Sequence, residues 1–187
     1  MNCDQGGATG AKSSAGDAMN DLRLGAARNR LAESRDEEDA IEGLREIVAN
    51  LLGCEEIGLF RVDRKTASFQ VCWSFGIDLE NYDLQHALGD AGVARVMSGE
   101  CHIDLAARDR SSAMPKAQAF VPMRVANQTI AILAILRLLP QKVAFDRFDM
   151  ELFKLLSDEA AKPLFGRSPH ATPETQGPGL TGPGLTV

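Results

Sequence analysis

Residues Ala117 to Leu138 read A-Q-A-F-V-P-M-R-V-A-N-Q-T-I-A-I-L-A-I-L-R-L. Two apolar runs rich in Val, Ile and Leu flank Asn127 and Gln128. Asn tolerates the positive φ that a tight hairpin loop demands, so an antiparallel hairpin is predicted, turning at these two residues. The second run, Thr129 to Leu138, has almost no polar alternation. A strand that is apolar on both faces must be covered on both faces. It is expected at the centre of a sheet, and the rest of the chain must supply two covers.

Working outward, Asp146 and Asp149 are placed to cap a last helix whose Phe148, Leu152, Leu155 and Leu156 form one stripe. At the other end, Ser34 and Glu37 have capping-box spacing. Ile41, Leu44, Ile47, Val48, Leu51 and Leu52 then recur at helical period, until Gly53 stops the helix as a C′ glycine would. A weaker helical pattern precedes them from Asn20, through Leu22, Leu24, Ala27 and Leu31. Ile57 to Asp63 is expected as the first strand, with a turn at Arg64 and Lys65. Ala67 to Ile77 alternates: Phe69, Val71, Trp73 and Phe75 on one face, Ser68, Gln70, Cys72 and Ser74 on the other. The first is a core face, and the second suits solvent or a pocket wall. Asp90 to Met97 is a short helix with Val93, Val96 and Met97 inward, closed by Gly99, and Cys101 to Leu105 is a short strand. The polar stretch Asp78 to Leu88 is expected as loop or short helix, and 106–116 as loop. The resulting order is that of an α+β sandwich: a central antiparallel sheet of five to six strands, terminal helices on one face, a short helix and loops on the other.

The chain has 187 residues, but 1–19 and 166–187 hold almost nothing to bury and are expected to be a disordered arm and tail. Residues 20–33 form an N-terminal helix, and 34–165 a domain long enough for a real core. A net charge of −6 argues against non-specific nucleic-acid binding, which needs a basic face. Cys3, Cys54, Cys72 and Cys101 lie far apart without C-x-x-C spacing, which suits a reducing compartment. No basic-then-apolar signal opens the chain and no apolar run approaches a membrane span, so a cytoplasmic location with no membrane contact is expected. The tail carries a tandem repeat, G-P-G-L-T-G-P-G-L-T-V, read either as a flexible end or as a linear motif anchored by Leu180 and Leu185.

At this point the sequence resembles a known family. L-L-G-C-E-E-I-G-L-F-R-V-D, starting at Leu51, resembles the opening of a GAF domain. G-D-A-G-V-A-R-V-M-S-G-E-C-H-I-D-L-A-A-R-D-R, starting at Gly89, resembles its middle helix, "G-E" turn and third strand ending in Asp104. Ala119 to Leu138 resembles its V-P hairpin, and D-R-F-D-M-E-L-F-K-L-L-S-D-E-A-A, starting at Asp146, its closing helix. The resemblance covers about residues 34–165. One departure is Ala131, where the family usually has Gly in the fifth strand; its methyl is expected to narrow any space nearby.

The resemblance implies a regulatory module shaped as a cup, with the sheet as floor and the middle helix and nearby loops as lid. Ligand subtypes carry signatures. The N-K…F…D-E pattern of cyclic-nucleotide binders is not found. Cys101-His102 lies earlier than a bilin attachment pair would. The loop before Phe120 offers Met114 but no haem-ligating His, and only Cys101 of the several cysteines expected for a reductase lies near the lid. The cofactor, if any, is unknown. Strand parity and the lid position together place Cys72, Ser74, Val96, Cys101, Asp104 and Phe120 at the cup as candidate ligand-binding residues.

Each candidate has a plainer alternative. Neighbours on a strand point to opposite faces, so Cys101 and His102 diverge rather than form a metal or redox pair. His86 and His102 with scattered cysteines do not supply a four-ligand zinc set. Trp73 reads as core. Asp104 orients a ligand or caps a loop, and Arg108 and Arg110 are a solvated loop or an anion clamp. No nucleophile–base pair can be assembled, so no catalytic residue and no enzyme activity are expected. Two functions remain. One is a small-molecule sensor that passes its signal to a partner protein. The other is a ligand-free interaction and dimerisation module. A homodimer through residues 20–52 and 145–165 is expected in either case.

Overall fold

The computed structural model describes residues 10–66, 68–104 and 116–166, with side chains in the first helix from residue 15 on. Cys3, Arg108, Arg110, Met114, Leu180 and Leu185 lie outside the described residues. In chain order the elements are α1 (Gly10–Ala32), α2 (Glu37–Ile47) running into a π-turn (Val48–Leu52), β1 (Cys54–Asp63) and β2 (Ser68–Phe75). Then come α3 (Leu84–Met97), β3 (His102–Ile103), β4 (Ala119–Val125) and β5 (Gln128–Leu138). Last are α4 (Arg147–Leu155), a second π-turn (Leu156–Ala160) and α5 (Ala161–Phe165).

The sheet is antiparallel with strand order β2-β1-β5-β4-β3, so the doubly apolar run is the middle strand. Its hairpin turns one residue earlier than expected. Val125 pairs with Gln128, and Ala126 and Asn127 carry the positive φ values, 49° and 63°, that a two-residue primed turn requires.

Alternate residues of β5 enter different cores. Leu133 and Ile135 join Leu59, Val121 and Met123 against Leu31 of α1, Leu44 of α2 and Leu152 and Phe153 of α4. Ile132, Ala134 and Leu136 join Phe60 and Phe120 against Leu79, Leu84, Leu88 and Val96 on the lid side. Burying each such large side chain contributes about 1.5–3 kcal/mol. Ala131 belongs to the helix side, between Arg61 and Met123 across the strands, so its methyl does not narrow the cup.

Two helix starts behave differently. Asp146 accepts from the Asp149 backbone amide at 3.0 Å and Asp149 returns the bond to Asp146 at 2.7 Å, a capping box as the sequence suggests. The cap of α2 is Asp36, which accepts from Asp39 N–H at 2.8 Å; Ser34 instead donates back to the Arg30 carbonyl at 3.2 Å. Gly53 ends the second helix with φ 70°. α1 starts at Gly10, ahead of the expected Asn20. β2 lies at the sheet edge and carries no charged residue.

Candidate functional site

The cup is the layer between the sheet and α3. Asp83 caps α3 by accepting from His86 N–H at 2.9 Å, and Gly89 (φ 62°, ψ 168°) kinks it. Beyond the kink the helix is pinned to the central strand, Thr129 Oγ1 donating to the Val96 carbonyl at 2.9 Å in a fully buried bond. Gly58 lets Leu79 onto the sheet: a Cβ there would stand 2.2 Å from Leu79 Cδ1. Among the described residues, two polar atoms in this layer of apolar side chains complete no hydrogen bond, Tyr82 Oη and His102 Nδ1. Tyr82 lies 5.9 Å from the Phe60 ring and His102 6.1 Å from Phe120, centroid to centroid. A Cβ at Gly92 would stand 3.1 Å from Leu88 Cδ2 and in ordinary contact, 3.7 Å, with His102 Cδ2, so α3 passes close over the imidazole. Burial pushes the Tyr82 phenol up; the Ala117 backbone N–H approaches the phenol oxygen closely enough to offset part of the rise, but without the geometry of a completed hydrogen bond. Each buried polar group left unsatisfied costs about 1–3 kcal/mol. A cleft of about 260 Å³ opens at the far end of the layer between Val62, Phe69, Val93 and Met97.

Of the six candidate residues, Val96 and Phe120 lie in this layer, both buried. Ser74 pairs with Gly58 and so stands on the same sheet face, half-buried. Cys72 does not join them. The β1–β2 register steps from Leu59↔Trp73 to Phe60↔Val71, leaving Cys72 as the extra residue of a bulge. It is exposed, its thiol donating to the Gln70 carbonyl at 3.8 Å, with Arg61 and Glu37 of the helix side around it. The bulge also splits the expected apolar face. Trp73 and Phe75 pack with the helix side and Phe69 with the lid side. Cys101 packs toward the helix side, and burial raises its thiol to about 11 despite nearby Arg124. Asp104 is half-buried, its backbone N–H donating to the Gln118 carbonyl at 3.0 Å. Cys101 and His102 do diverge, one to each face.

Tyr82 was not among the candidates, although it is the only tyrosine of the chain and stands in a polar stretch with nothing else aromatic nearby. That isolation was the available signal. Among the described residues no three His, Cys, Asp or Glu side chains come together to hold a metal.

The chain resembles several solved domains along most of its length. The GAF domain of a phosphoenolpyruvate-protein phosphotransferase from Coxiella burnetii superposes with a TM-score of 0.58 at 17% identity, over 79% of this chain and 94% of that one. The fold is that of a GAF domain. The GAF domain of the Acinetobacter phosphoenolpyruvate-protein phosphotransferase gives 0.52 at 18% identity, covering 76% of this chain and 93% of that one. A GAF domain/HD domain protein from Geobacter sulfurreducens gives 0.53 at 17%, covering 69% and 92%. At such identities the likeness establishes the GAF fold. No family model and no curated protein sequence matches the chain.

Proposed function

We propose that this protein is a non-catalytic, cytoplasmic sensor: a GAF-fold domain that takes a small molecule beneath α3 and passes the signal to a partner protein. The observation that carries this reading is the pair of buried, unpartnered polar atoms, Tyr82 Oη and His102 Nδ1, in an otherwise apolar layer. A ligand that hydrogen-bonds them removes their desolvation cost, and the kink at Gly89 gives the cover a place to flex. Val96, Phe120 and Ser74 supply the neighbouring surface. Native mass spectrometry of freshly purified protein tests the idea. A retained small molecule in the wild type that is lost from Tyr82→Phe and His102→Phe supports it. Equal retention in all three, or no bound molecule together with no thermal shift across a metabolite set, overturns it.

A second reading, an interaction and dimerisation module, rests on α1. Its residues 15–22 are exposed apart from half-buried Asn20, with Met19 58% and Leu22 70% accessible. An isolated helix of this kind is marginal in water. Its later residues Ala27 and Leu31 are already buried against their own domain, so only the first half of the helix is left to meet a second copy. A homodimer through residues 20–52 and 145–165 would cover Leu22, at the end of that exposed stretch. Sedimentation at micromolar concentration decides: a dimer for the full chain and a monomer for a chain starting at Ser34 supports this reading, and two monomers refute it.

A further inference from the structure

Arg124 touches both layers that sandwich the sheet. It stands near the end of β4, where the register against β5 slips between Met123 and Arg124. Its stem lies on Gly99, in the turn that follows α3. Gly99 has φ 92°, and a Cβ there would fall 2.9 Å from Arg124 Cδ and 3.2 Å from Nη1. The guanidinium pairs with Asp158, inside the π-turn Leu156–Ala160 of the helix layer. Among the described residues its Nε is buried with no partner of its own, as is Ser157 Oγ in the same π-turn. The π-turn is the adjustable part. It closes i→i+5 rather than i→i+4 hydrogen bonds, and such turns occur frequently at functional sites. Thr129, on the central strand, already fixes the end of α3 that leads into Gly99.

We propose that Arg124 is the positioning residue through which a change beneath α3 reaches the helix layer: displacement of the Gly99 turn moves the guanidinium, which biases the π-turn and thereby α5. This rests on the sensing reading above, because it supplies the route from that site to the helices. Coupling of this kind needs an element with two arrangements that both sites bias, a part we assign to the π-turn.

The test is hydrogen exchange on the full chain without ligand. Gly99→Ala forces Arg124 off the turn. The amides of 156–165 should then exchange several-fold faster, with those of α2 unchanged. In an Arg124→Ala background, Gly99→Ala should add nothing at 156–165. Arg124→Lys, which keeps a stem against Gly99 and a positive charge toward Asp158, should retain most of the response. Thr129→Val, which releases α3 from the sheet, serves as a second perturbation should Gly99→Ala fold poorly. If either perturbation speeds those amides equally with and without Arg124, or leaves them untouched, the route is wrong. Since no ligand is added, that result bears on the route alone, whereas absence of a bound small molecule bears on the sensing reading alone.

Discussion

On the helix side of β5, Leu133 and Ile135 meet a thick layer whose ends are tied down: Asp36 caps α2, Asp146 and Asp149 cap each other at α4, and Lys142 pairs with buried Asp149. One residue along, Ile132 and Ala134 meet a single kinked helix and two polar atoms without partners. Both faces are apolar and both are buried, yet only one is finished. The sheet therefore has a side that stores stability and a side that trades some of it for an opening. Outside the lid layer, and among the described residues, Ser157 Oγ, Arg124 Nε and Glu56 Oε2 are also buried without a hydrogen-bond partner, the first beside the residue that Arg124 holds.

Truncation should expose this difference most strongly. Phe153→Ala on the helix side is expected to cost about 3–5 kcal/mol, and Leu88→Ala on the lid side about 2, toward the lower end for such changes. Denaturant unfolding measures both, and a Leu88 cost equal to or above that of Phe153 breaks the comparison. Smaller and of opposite sign, Tyr82→Phe should leave stability unchanged or raise it by about 1 kcal/mol, because it removes an unsatisfied hydroxyl; a clear loss would mean the hydroxyl is already satisfied.

The joint between α1 and α2 should respond to acid. The Arg35 backbone and side chain, followed by the Arg30 guanidinium, hold the Asp39 carboxyl below its usual range. A depressed folded value means that this contribution is complete above the unfolded carboxylate pKa, near about 4, and fades as pH falls below it. Protection at 35–40, taken relative to the intrinsic exchange rate at each pH, should fall in that window and not in Asp39→Asn, which lacks the titrating group. The mildest effect concerns Cys101. With its thiol raised to about 11, it is almost wholly protonated at neutral pH and should be alkylated far more slowly than a free thiol. Fast labelling would contradict this, and turnover of methionine sulfoxide that disappears in Cys101→Ser would contradict the proposed non-catalytic role.

Much of the fold was legible because it depends on burial pattern. Thr129 to Leu138 could only be a central strand, and Asp146 with Asp149 could only start a helix. The candidate site was less so, for two physical reasons. Strict alternation through Ser68 to Phe75 assumes no extra residue, and one bulge at Cys72 was enough to send Phe69 and Trp73 to opposite cores and take Cys72 out of the cup. Tyr82 belongs to no periodic segment. Its burial depends on Leu79 and α3 folding over it, which no local pattern reports.

The bulge has a consequence for handling the protein. β2 is eight uncharged residues at an open edge, S-F-Q-V-C-W-S-F, with Val71 40% exposed. Long, flat, uncharged edges recruit other strands, and a bulge that twists the edge away is one of the ordinary protections. Removing Cys72 would straighten the strand while leaving the pairs of Trp73 and Val71 in place. The product should still fold, but turn cloudy on warming or concentration as molecules join sheet to sheet, and Gln70→Lys should clear it.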